Sequence, residues 1–416
     1  MIARAAIVLL LVLAAGASVR AAPTRPNALD RRVDAIPSAS LMARPATALV
    51  DVEREKAAIR LQSWLTPLWC ATIALQILAL AYFWQAGGAA RWRNWLRRSV
   101  GGEFVVRFCF GATLAAIARI AALVPQFLDY RVARAMQLAV ELSGTWFSGW
   151  LAGTLFAMVA AGVVASVVLW LADRTHQWYI YVAGAAVAGS LLFAWANPLV
   201  VAPLFNRYTP LPDHPYGHRI AALQSRAGLS GLALVEIHLA RQTESGASSV
   251  IGLWNSRRVV FSDTLLAGAT AREVAFVAAR DFGEVAAAEP LQMAFADALA
   301  AIAIASLAVF VADRIGFRRD DDEVSRLALV AALLVCSYVV VVPGLNAYHR
   351  HLASQADRFA VTLTHDPVAG IRSAIRMANQ ALVVVCPSPF ARAYLNDLPS
   401  VGSRVAALQG RPDPCR

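Results

Sequence analysis

The chain has 416 residues, of which 58% are hydrophobic and 16% are charged, and its mean hydropathy is +0.54. This composition excludes an assembly of ordinary soluble domains and predicts a protein that crosses a membrane several times. The formal net charge of +11 comes almost wholly from arginine, since Lys56 is the only lysine. The lipid bilayer is therefore the predicted partner. Nucleic acid is not, because no basic stretch with interleaved aromatic residues lies outside the membrane-flanking segments.

The first residues have the pattern of a signal peptide. Within residues 1–22, Arg4 is followed by an apolar run from Ala5 to Ala17 and then by mainly small residues up to Ala22. Because this run is short for a membrane span, we expect the signal to be cleaved, and an uncleaved first span is the alternative. Residues 23–63 are predicted to be a polar linker that becomes an amphipathic helix near 52–62.

Six apolar stretches are long enough to span a membrane, and they lie at about 64–87, 104–125, 148–172, 178–202, 291–312 and 325–343. The second stretch contains Arg107 and Arg119. We expect these arginines to pair with local carboxylates or carbonyls, and the alternative is that they bind an anionic group inside the membrane. Residues 126–147 are predicted to form an interfacial helix or a loop.

Two less apolar regions, 203–290 and 345–416, are predicted to be soluble. The first contains two predicted strands, Leu234–Leu239 and Arg258–Ser262, and the second begins with a long helix from about 345 to 364. Cys386 and Cys415 lie in the polar tail. They can form a disulfide if the tail is outside the cytoplasm.

The basic segments 88–103 and 313–324 are predicted to face the cytoplasm under the positive-inside rule. With a cleaved signal, both soluble regions then lie outside the cytoplasm, as expected for a protein of a bacterial inner membrane. A retained N-terminal span with its N-terminus outside gives the alternative, in which both soluble regions are cytoplasmic.

Three segments carry a family resemblance. They are Asn197-Pro198 with Ala202–Leu211, then Arg258–Leu266, and then Ser354–Ala360. Together they resemble the integral-membrane zinc metalloproteases of the CAAX prenyl protease (HtpX-related) type, and the similarity covers roughly residues 50–405. The resemblance implies a mainly α fold: a multi-pass transmembrane helical bundle with a small interrupted zincin-like α+β domain from residues 203–290 and 345–416.

The resemblance also places an active-site helix within residues 271–290. The family carries His-Glu-x-Gly-His there, in which two histidines bind zinc and the glutamate is the general base. This chain has Arg280, Asp281, Phe282, Gly283 and Glu284 in the same frame. The zinc histidines therefore match Arg280 and Glu284, and the general base matches Asp281.

The other catalytic positions of the family also differ. The third zinc ligand matches Ala353, and only Asp357, which supports the site in the family, is retained. The substrate-aligning pair of the edge strand matches Ala247-Ser248. The His-Pro-Pro near the family's C-terminus falls at Leu398–Ser400, shortly before Arg404.

These differences predict that the chain has no catalytic residues and binds no cofactor. Arginine stays protonated and cannot be a metal ligand, whereas a catalytic zinc ion needs three protein ligands. We expect Arg280 to form an ion pair with Asp357, Glu284 or both. The alternative is a relocated zinc site made of Glu284, His349 and Asp357, because His349 and Asp357 share one stripe of a helix.

Two other histidines, His214 and His218, flank Pro215 and Gly217 and are not expected to bind metal. The sequence therefore predicts a pseudoprotease that keeps the family's intramembrane chamber and binds a peptide or a lipid there. One alternative is a residual metalloendopeptidase with a rebuilt metal site. Another is a membrane assembly or scaffold factor, for which the sequence identifies no protein partner.

Overall fold

The computed structural model describes residues 32–139, 141–205, 207–211, 215–239, 246–316 and 322–415. The predicted signal, residues 1–22, and His214 lie outside the described residues. The helices are α1 Ser38–Ala43, α2 Ala46–Leu49, α3 Val52–Gln85, α4 Gly88–Ser99, α5 Glu103–Ala135, α6 Ser143–Arg174, α7 Trp178–Ala196, α8 Ala202–Phe205, α9 Gly217–Arg226, α10 Asp263–Gly268, α11 Ala271–Ala286, α12 Glu289–Ile315, α13 Glu323–Thr364, α14 Pro367–Ala381, α15 Pro389–Tyr394 and α16 Val401–Leu408. The strands are β1 Tyr208–Pro210, β2 Ala233–Ile237, β3 Ser248–Ile251 and β4 Arg258–Ser262.

Six of these helices are long and apolar enough to cross a membrane, within the ranges that the structure describes. They are α3, α5, α6, α7, α12 and α13. A turn of π-helix, Asn197–Val201, continues α7. The predicted multi-pass helical bundle is therefore confirmed, with one predicted span in each of the six helices.

The second predicted span ends at about residue 125, whereas α5 continues to Ala135 and takes up the first part of the predicted interfacial helix or loop. Pro125 lies inside the helix, and Leu128 and Val132 beyond it are buried. Val132 packs with Leu61 of α3 in one apolar cluster. Because the apolar face continues past the proline, the loss of one backbone hydrogen bond does not end the helix.

The sixth predicted span does not end at Pro343-Gly344 either. Helix α13 runs without interruption for 42 residues through Pro343. Residues on both sides of the proline are buried, and the Asn346 side chain donates a hydrogen bond of 2.9 Å to the Ala393 carbonyl. The helix therefore extends from a membrane span into the region that was predicted to be soluble, and it carries Asp357 there.

The basic segment after the first span is a helix, α4, where a loop was expected. Its Arg93 and Arg97 pair with Asp322 at the start of α13, at 2.8 and 2.9 Å. The segment that connects α3 to α5 therefore contacts the segment that precedes α13. Both were predicted to lie on the same side of the membrane.

The segment before α3 was expected to be a linker, but it packs against the C-terminal region. Leu41 of α1 and Leu49 of α2 share an apolar cluster with Ile371 of α14 and Val405 of α16. At the start of α3, the buried Arg54 guanidinium donates to the backbone carbonyls of Ala378 and Val383. These contacts fix the tail against the first membrane helix.

A four-stranded sheet lies beside α11, in the strand order β1-β2-β4-β3. Strands β2 and β4 are parallel, and the two outer pairings are antiparallel. The prediction of Arg258–Ser262 is confirmed, and the other predicted strand is observed at Ala233–Ile237. The short strands β1 and β3 were not predicted. Val259 and Phe261 of β4 pack with Val277 and Phe282 of α11, and this core sets the position of that helix.

The tail is closed by a disulfide between Cys386 and Cys415, whose Cα atoms are 5.0 Å apart. The sequence made this pairing conditional on the compartment. Gly402 of α16 lies directly against both sulfur atoms, where a Cβ atom would collide with them.

Candidate functional site

Helix α11 begins with a capping box. The Thr270 side chain accepts from the Glu273 backbone N–H, and the Glu273 carboxylate accepts from the Thr270 N–H at 2.7 Å. Glu273 is fully buried and pairs with Arg376 of α14 at 3.1 Å. Because the start of the helix is fixed in this way, the residues two and three turns later have defined positions.

Arg280 lies in the middle of a carboxylate cluster. Its guanidinium is 2.9 Å from Glu284, 3.4 Å from Asp357 and 3.7 Å from Asp281, and only 15% of its side chain is exposed. Glu284 is one helical turn away on α11, whereas Asp357 comes from α13. The predicted ion pair of Arg280 with Glu284 and Asp357 is therefore confirmed.

A second arginine completes the cluster from α16. Arg404 donates to both Asp357 oxygens, at 2.8 and 2.9 Å. Two parallel hydrogen bonds of this kind are among the stronger polar contacts in proteins. Asp357 is thus shared by two guanidinium groups, and the cluster joins α11, α13 and α16.

The charges in the cluster alter the protonation of its members. Burial disfavours the charged form of Arg280, but the attraction of Glu284, Asp357 and Asp281 outweighs it and raises the pKa of Arg280 above its ordinary value. Burial also raises the pKa of Asp281 well above its ordinary value, and repulsion from Glu284 adds to this effect. The pKa of Glu284 is raised by burial, while the neighbouring Arg280 opposes the shift.

Asp281 connects the cluster to the edge of the sheet. Its Oδ1 accepts a hydrogen bond of 3.2 Å from the hydroxyl of Ser248 on β3, whereas its buried Oδ2 has no partner among the described residues. The backbone of Ala247 is held by Ser262, because Ala247 N–H donates to the Ser262 side chain and its carbonyl accepts from the Ser262 N–H. The predicted pair Ala247-Ser248 therefore lies beside the cluster.

Within the described residues, β3 is an edge strand of the sheet. Ala247 is hydrogen-bonded to Ser262, and the register then pairs Ser249 with Val260 and Val250 with Val259. Hydrogen-bonded and non-hydrogen-bonded pairs alternate along antiparallel strands. The N–H and C=O groups of Val250 therefore point away from β4, toward the free edge.

The residues that the resemblance aligns with the family's zinc ligands have side chains that do not suit a zinc ion. Of the three positions, Arg280 has only hydrogen-bond donors, and Ala353 is a buried methyl side chain. Glu284 alone has an oxygen that could bind metal, and it already pairs with Arg280. A dication placed there would also meet the positive charge of the guanidinium.

The relocated zinc site is not assembled either. The ring Nε2 of His349 lies 3.7 Å from Asp297 of α12. Across the described ranges, no three His, Cys, Asp or Glu side chains are grouped closely enough to hold a metal ion.

Other residues selected from the sequence have local partners. Arg107 pairs with Asp173 at 2.6 Å, as expected. Arg119 donates to the Thr154 hydroxyl at 3.2 Å and lies over the Trp150 ring, 5.4 Å from its centroid. His218 is exposed near the start of α9, distant in sequence from the elements of the cluster.

Sequence reasoning missed the role of Arg404. It served only as a landmark after Leu398–Ser400, yet its side chain binds Asp357 directly. One signal was available, since Arg404 is the only charged residue in the otherwise small and apolar helix Val401–Leu408.

Two family models match the chain. The model described as peptidase family M48 matches residues 214–412. The model described as CAAX prenyl protease N-terminal, five membrane helices, matches residues 50–207. Between them they cover the membrane helices of the first half and, in the second half, strands β2 to β4 and the charged cluster.

Individual proteins give the same result. An uncharacterized metalloprotease of Bacillus subtilis, YhfN, is 22% identical over 338 residues, which is 77% of each chain. A CAAX prenyl protease 1 homolog of rice, Oryza sativa subsp. japonica, is 22% identical over 263 residues, or 61% of each chain. The crystal structure of S. mikatae Ste24p matches with a TM-score of 0.73 at 17% identity and covers 92% of this chain and 97% of that one. At this identity the structural match shows the fold alone.

The fold and the matched segments define an integral-membrane protein of the metallopeptidase class, with a helical bundle and a small α+β domain. The chain belongs to the CAAX prenyl protease type of peptidase family M48.

The raised pKa of Asp281 predicts how stability depends on pH. A group whose pKa is higher in the folded than in the unfolded state contributes stability that is fully present below its unfolded pKa, which is 3.8 for Asp281. This contribution is lost as the pH rises through the folded pKa. In Asp281→Asn the side chain stays neutral, so the variant should become progressively more stable than the wild type as the pH rises from about 4.

Thermal unfolding midpoints measured across this pH range check the expectation. Asp397→Asn, which removes an exposed carboxylate from the same soluble region, is the control and should follow the wild type. Parallel pH profiles for Asp281→Asn and the wild type would contradict a raised pKa of Asp281 in the folded protein.

Proposed function

We propose that this protein is a catalytically inactive member of its family, a pseudoprotease that binds a peptide or lipid without hydrolysing it. The observation that supports the proposal is the position of the Arg280 guanidinium. It pairs with Glu284 and Asp357 where the family resemblance places the zinc ion and its ligands. A permanent cation can neutralise those carboxylates but cannot activate a water molecule for hydrolysis.

The remaining binding role belongs to the edge strand β3. An extended peptide can add to such an edge through main-chain hydrogen bonds. The outward N–H and C=O of Val250 offer one such pair of bonds, and Ser248 lies two residues before it on the same strand. A bound peptide would run past the charged cluster, as a substrate would, but would meet no metal there.

A prenylated CAAX peptide is the probe for this proposal, because CAAX prenyl proteases are among the relatives. We expect the purified full-length protein to bind a fluorescent form of the peptide and to leave it uncleaved. Val250→Pro removes the outward N–H without touching a bond to β4, so binding should weaken about tenfold or more. Fluorescence anisotropy measures binding, and mass spectrometry of the same samples detects cleavage.

The matched control is Ser225→Ala, an exposed change on α9 away from β3, which should bind like the wild type. Zinc-dependent cleavage by the wild type would contradict the proposal and favour a residual metalloendopeptidase. Absence of peptide binding at any concentration would remove the peptide role and favour an assembly or scaffold factor.

The second part of the proposal concerns sidedness. We place the sheet, the cluster and the tail outside the cytoplasm of a bacterial inner membrane. The arginine-rich helix α4 supports this orientation, because basic connections prefer the cytoplasmic side. The Cys386–Cys415 disulfide supports it too, since disulfides persist in oxidising compartments.

Labelling of single cysteines in spheroplasts tests the orientation. In a background with the free cysteines Cys70, Cys109 and Cys336 changed to serine, Leu398→Cys should react with a membrane-impermeant maleimide. Arg91→Cys on α4 should react only after lysis. Both sites are exposed, so accessibility differs only by the side of the membrane. The reverse labelling pattern would place both soluble regions in the cytoplasm.

A further inference from the structure

A cavity of about 430 Å³ lies away from the charged cluster, between the membrane helices α3 and α5 and the chain that follows α14. Its walls are mainly aliphatic. Leu61, Leu65 and Leu68 line it from α3, and Leu382, Val384 and Leu395 line it from the C-terminal region. None of the residues of the Arg280 cluster takes part in the lining. The volume is within the range of small-ligand sites, which is roughly 300–1,000 Å³.

One carboxylate faces this apolar cavity. Asp129 of α5 lines it, and its side chain has no hydrogen bond or ion pair with any of the residues described. The other polar lining groups are neutral. Among them, the Gln62 amide donates to the Ser388 hydroxyl at 3.2 Å, and the Gln126 carbonyl oxygen accepts from the Trp150 indole at 3.1 Å. Asp129 is therefore the single charged group of the lining, and no cation in the described part of the chain pairs with it.

An aromatic ring also borders the cavity. Trp69 of α3 lines it, and the indole is held by Phe390 and Tyr394 of α15, with ring centroids at 5.8 and 5.3 Å. Indole faces attract cations through their quadrupole. A carboxylate and an indole around an aliphatic space are a suitable lining for a positively charged group that carries an apolar chain.

The depth of the site in the membrane agrees with such a ligand. Asp129 lies about 9 Å before the end of α5 at Ala135, at 1.5 Å per residue. The next residue, Tyr130, stacks with Trp146 at 5.4 Å between centroids. Tyrosine and tryptophan concentrate at the level of lipid headgroups. The carboxylate is therefore near the membrane surface, and the leucines of α3 continue from it toward the hydrocarbon.

We propose that this cavity binds a primary ammonium group attached to an apolar chain, with the ammonium on Asp129 and the chain against the leucines of α3. An anionic headgroup would be repelled by Asp129. A neutral ligand would leave the exposed carboxylate of Asp129, which borders the cavity, without a counter-charge. Two sources have this chemistry, an aminophospholipid of the bilayer and a free alkyl amine. The inference does not depend on the loss of zinc or of hydrolysis.

Native mass spectrometry of the detergent-solubilised full-length protein tests the inference with three probes. They are phosphatidylethanolamine, phosphatidylglycerol with the same acyl chains, and dodecylamine. We expect the wild type to bind one phosphatidylethanolamine about tenfold more tightly than phosphatidylglycerol, the magnitude of one charge-assisted contact. Competition by dodecylamine shows that the free amine shares the site. If dodecylamine binds and phosphatidylethanolamine does not, the source is the free amine.

Two variants locate the binding. Asp129→Asn should lose the preference for the ammonium probes, whereas Asp129→Glu should keep it. The control is Asp297→Asn, because Asp297 is also a carboxylate on a membrane helix but does not line the cavity. The wild type alone can overturn the inference. It would do so if it bound both lipids with equal affinity and did not bind dodecylamine. An Asp129→Asn protein that keeps the full ammonium preference would also overturn it.

Discussion

The packing of α11 against α13 depends on the ion pairs that Arg280 forms with Glu284 and Asp357. Glu284 and Asp357 come from two helices that pack together, and both carboxylates are largely shielded from water. Buried carboxylates without a counter-charge are strongly unfavourable, and removing one partner of such a group typically costs about 3–5 kcal/mol. Arg280 supplies that charge from α11, and Arg404 supplies more from α16. The cluster therefore ties together α11, α13 and α16.

Family membership and fold are shown for this chain, whereas its catalytic activity depends on the residues of the site. The family models establish the class of protein, and the match to Ste24p establishes the fold. Chemistry is a property of the site, and one fold can carry active and inactive sites alike. In the frame that the resemblance gives for the zinc site, this chain has an arginine, a short acidic side chain and a methyl group. The proposed loss of hydrolysis rests on these residues and not on the fold.

The sequence was sufficient for the membrane architecture, because apolar length is a strong signal. It was weaker at the ends of helices, because the second and sixth predicted spans end at about residues 125 and 343, although the buried faces of the helices continue beyond Pro125 and Pro343. Strand β3 has four residues, too few for a periodic pattern, so the edge of the sheet was expected only through the family resemblance. The contact between Arg404 and Asp357 joins residues 47 positions apart. No local pattern predicts such a contact. The pairing of Arg280 was predictable because an arginine in a helix of buried residues needs a nearby carboxylate.

The measurement that tests the central claim most directly is the zinc content of the purified protein, determined by elemental analysis. A variant with Arg280→His, Asp281→Glu, Glu284→His and Ala353→Glu restores the family's ligand set and serves as the positive control. We predict less than about a tenth of an equivalent of zinc in the wild type and close to one equivalent in the restored variant, since zinc needs three protein ligands. Nearly stoichiometric zinc in the wild type, lost in Glu284→Ala or His349→Ala, would contradict the account.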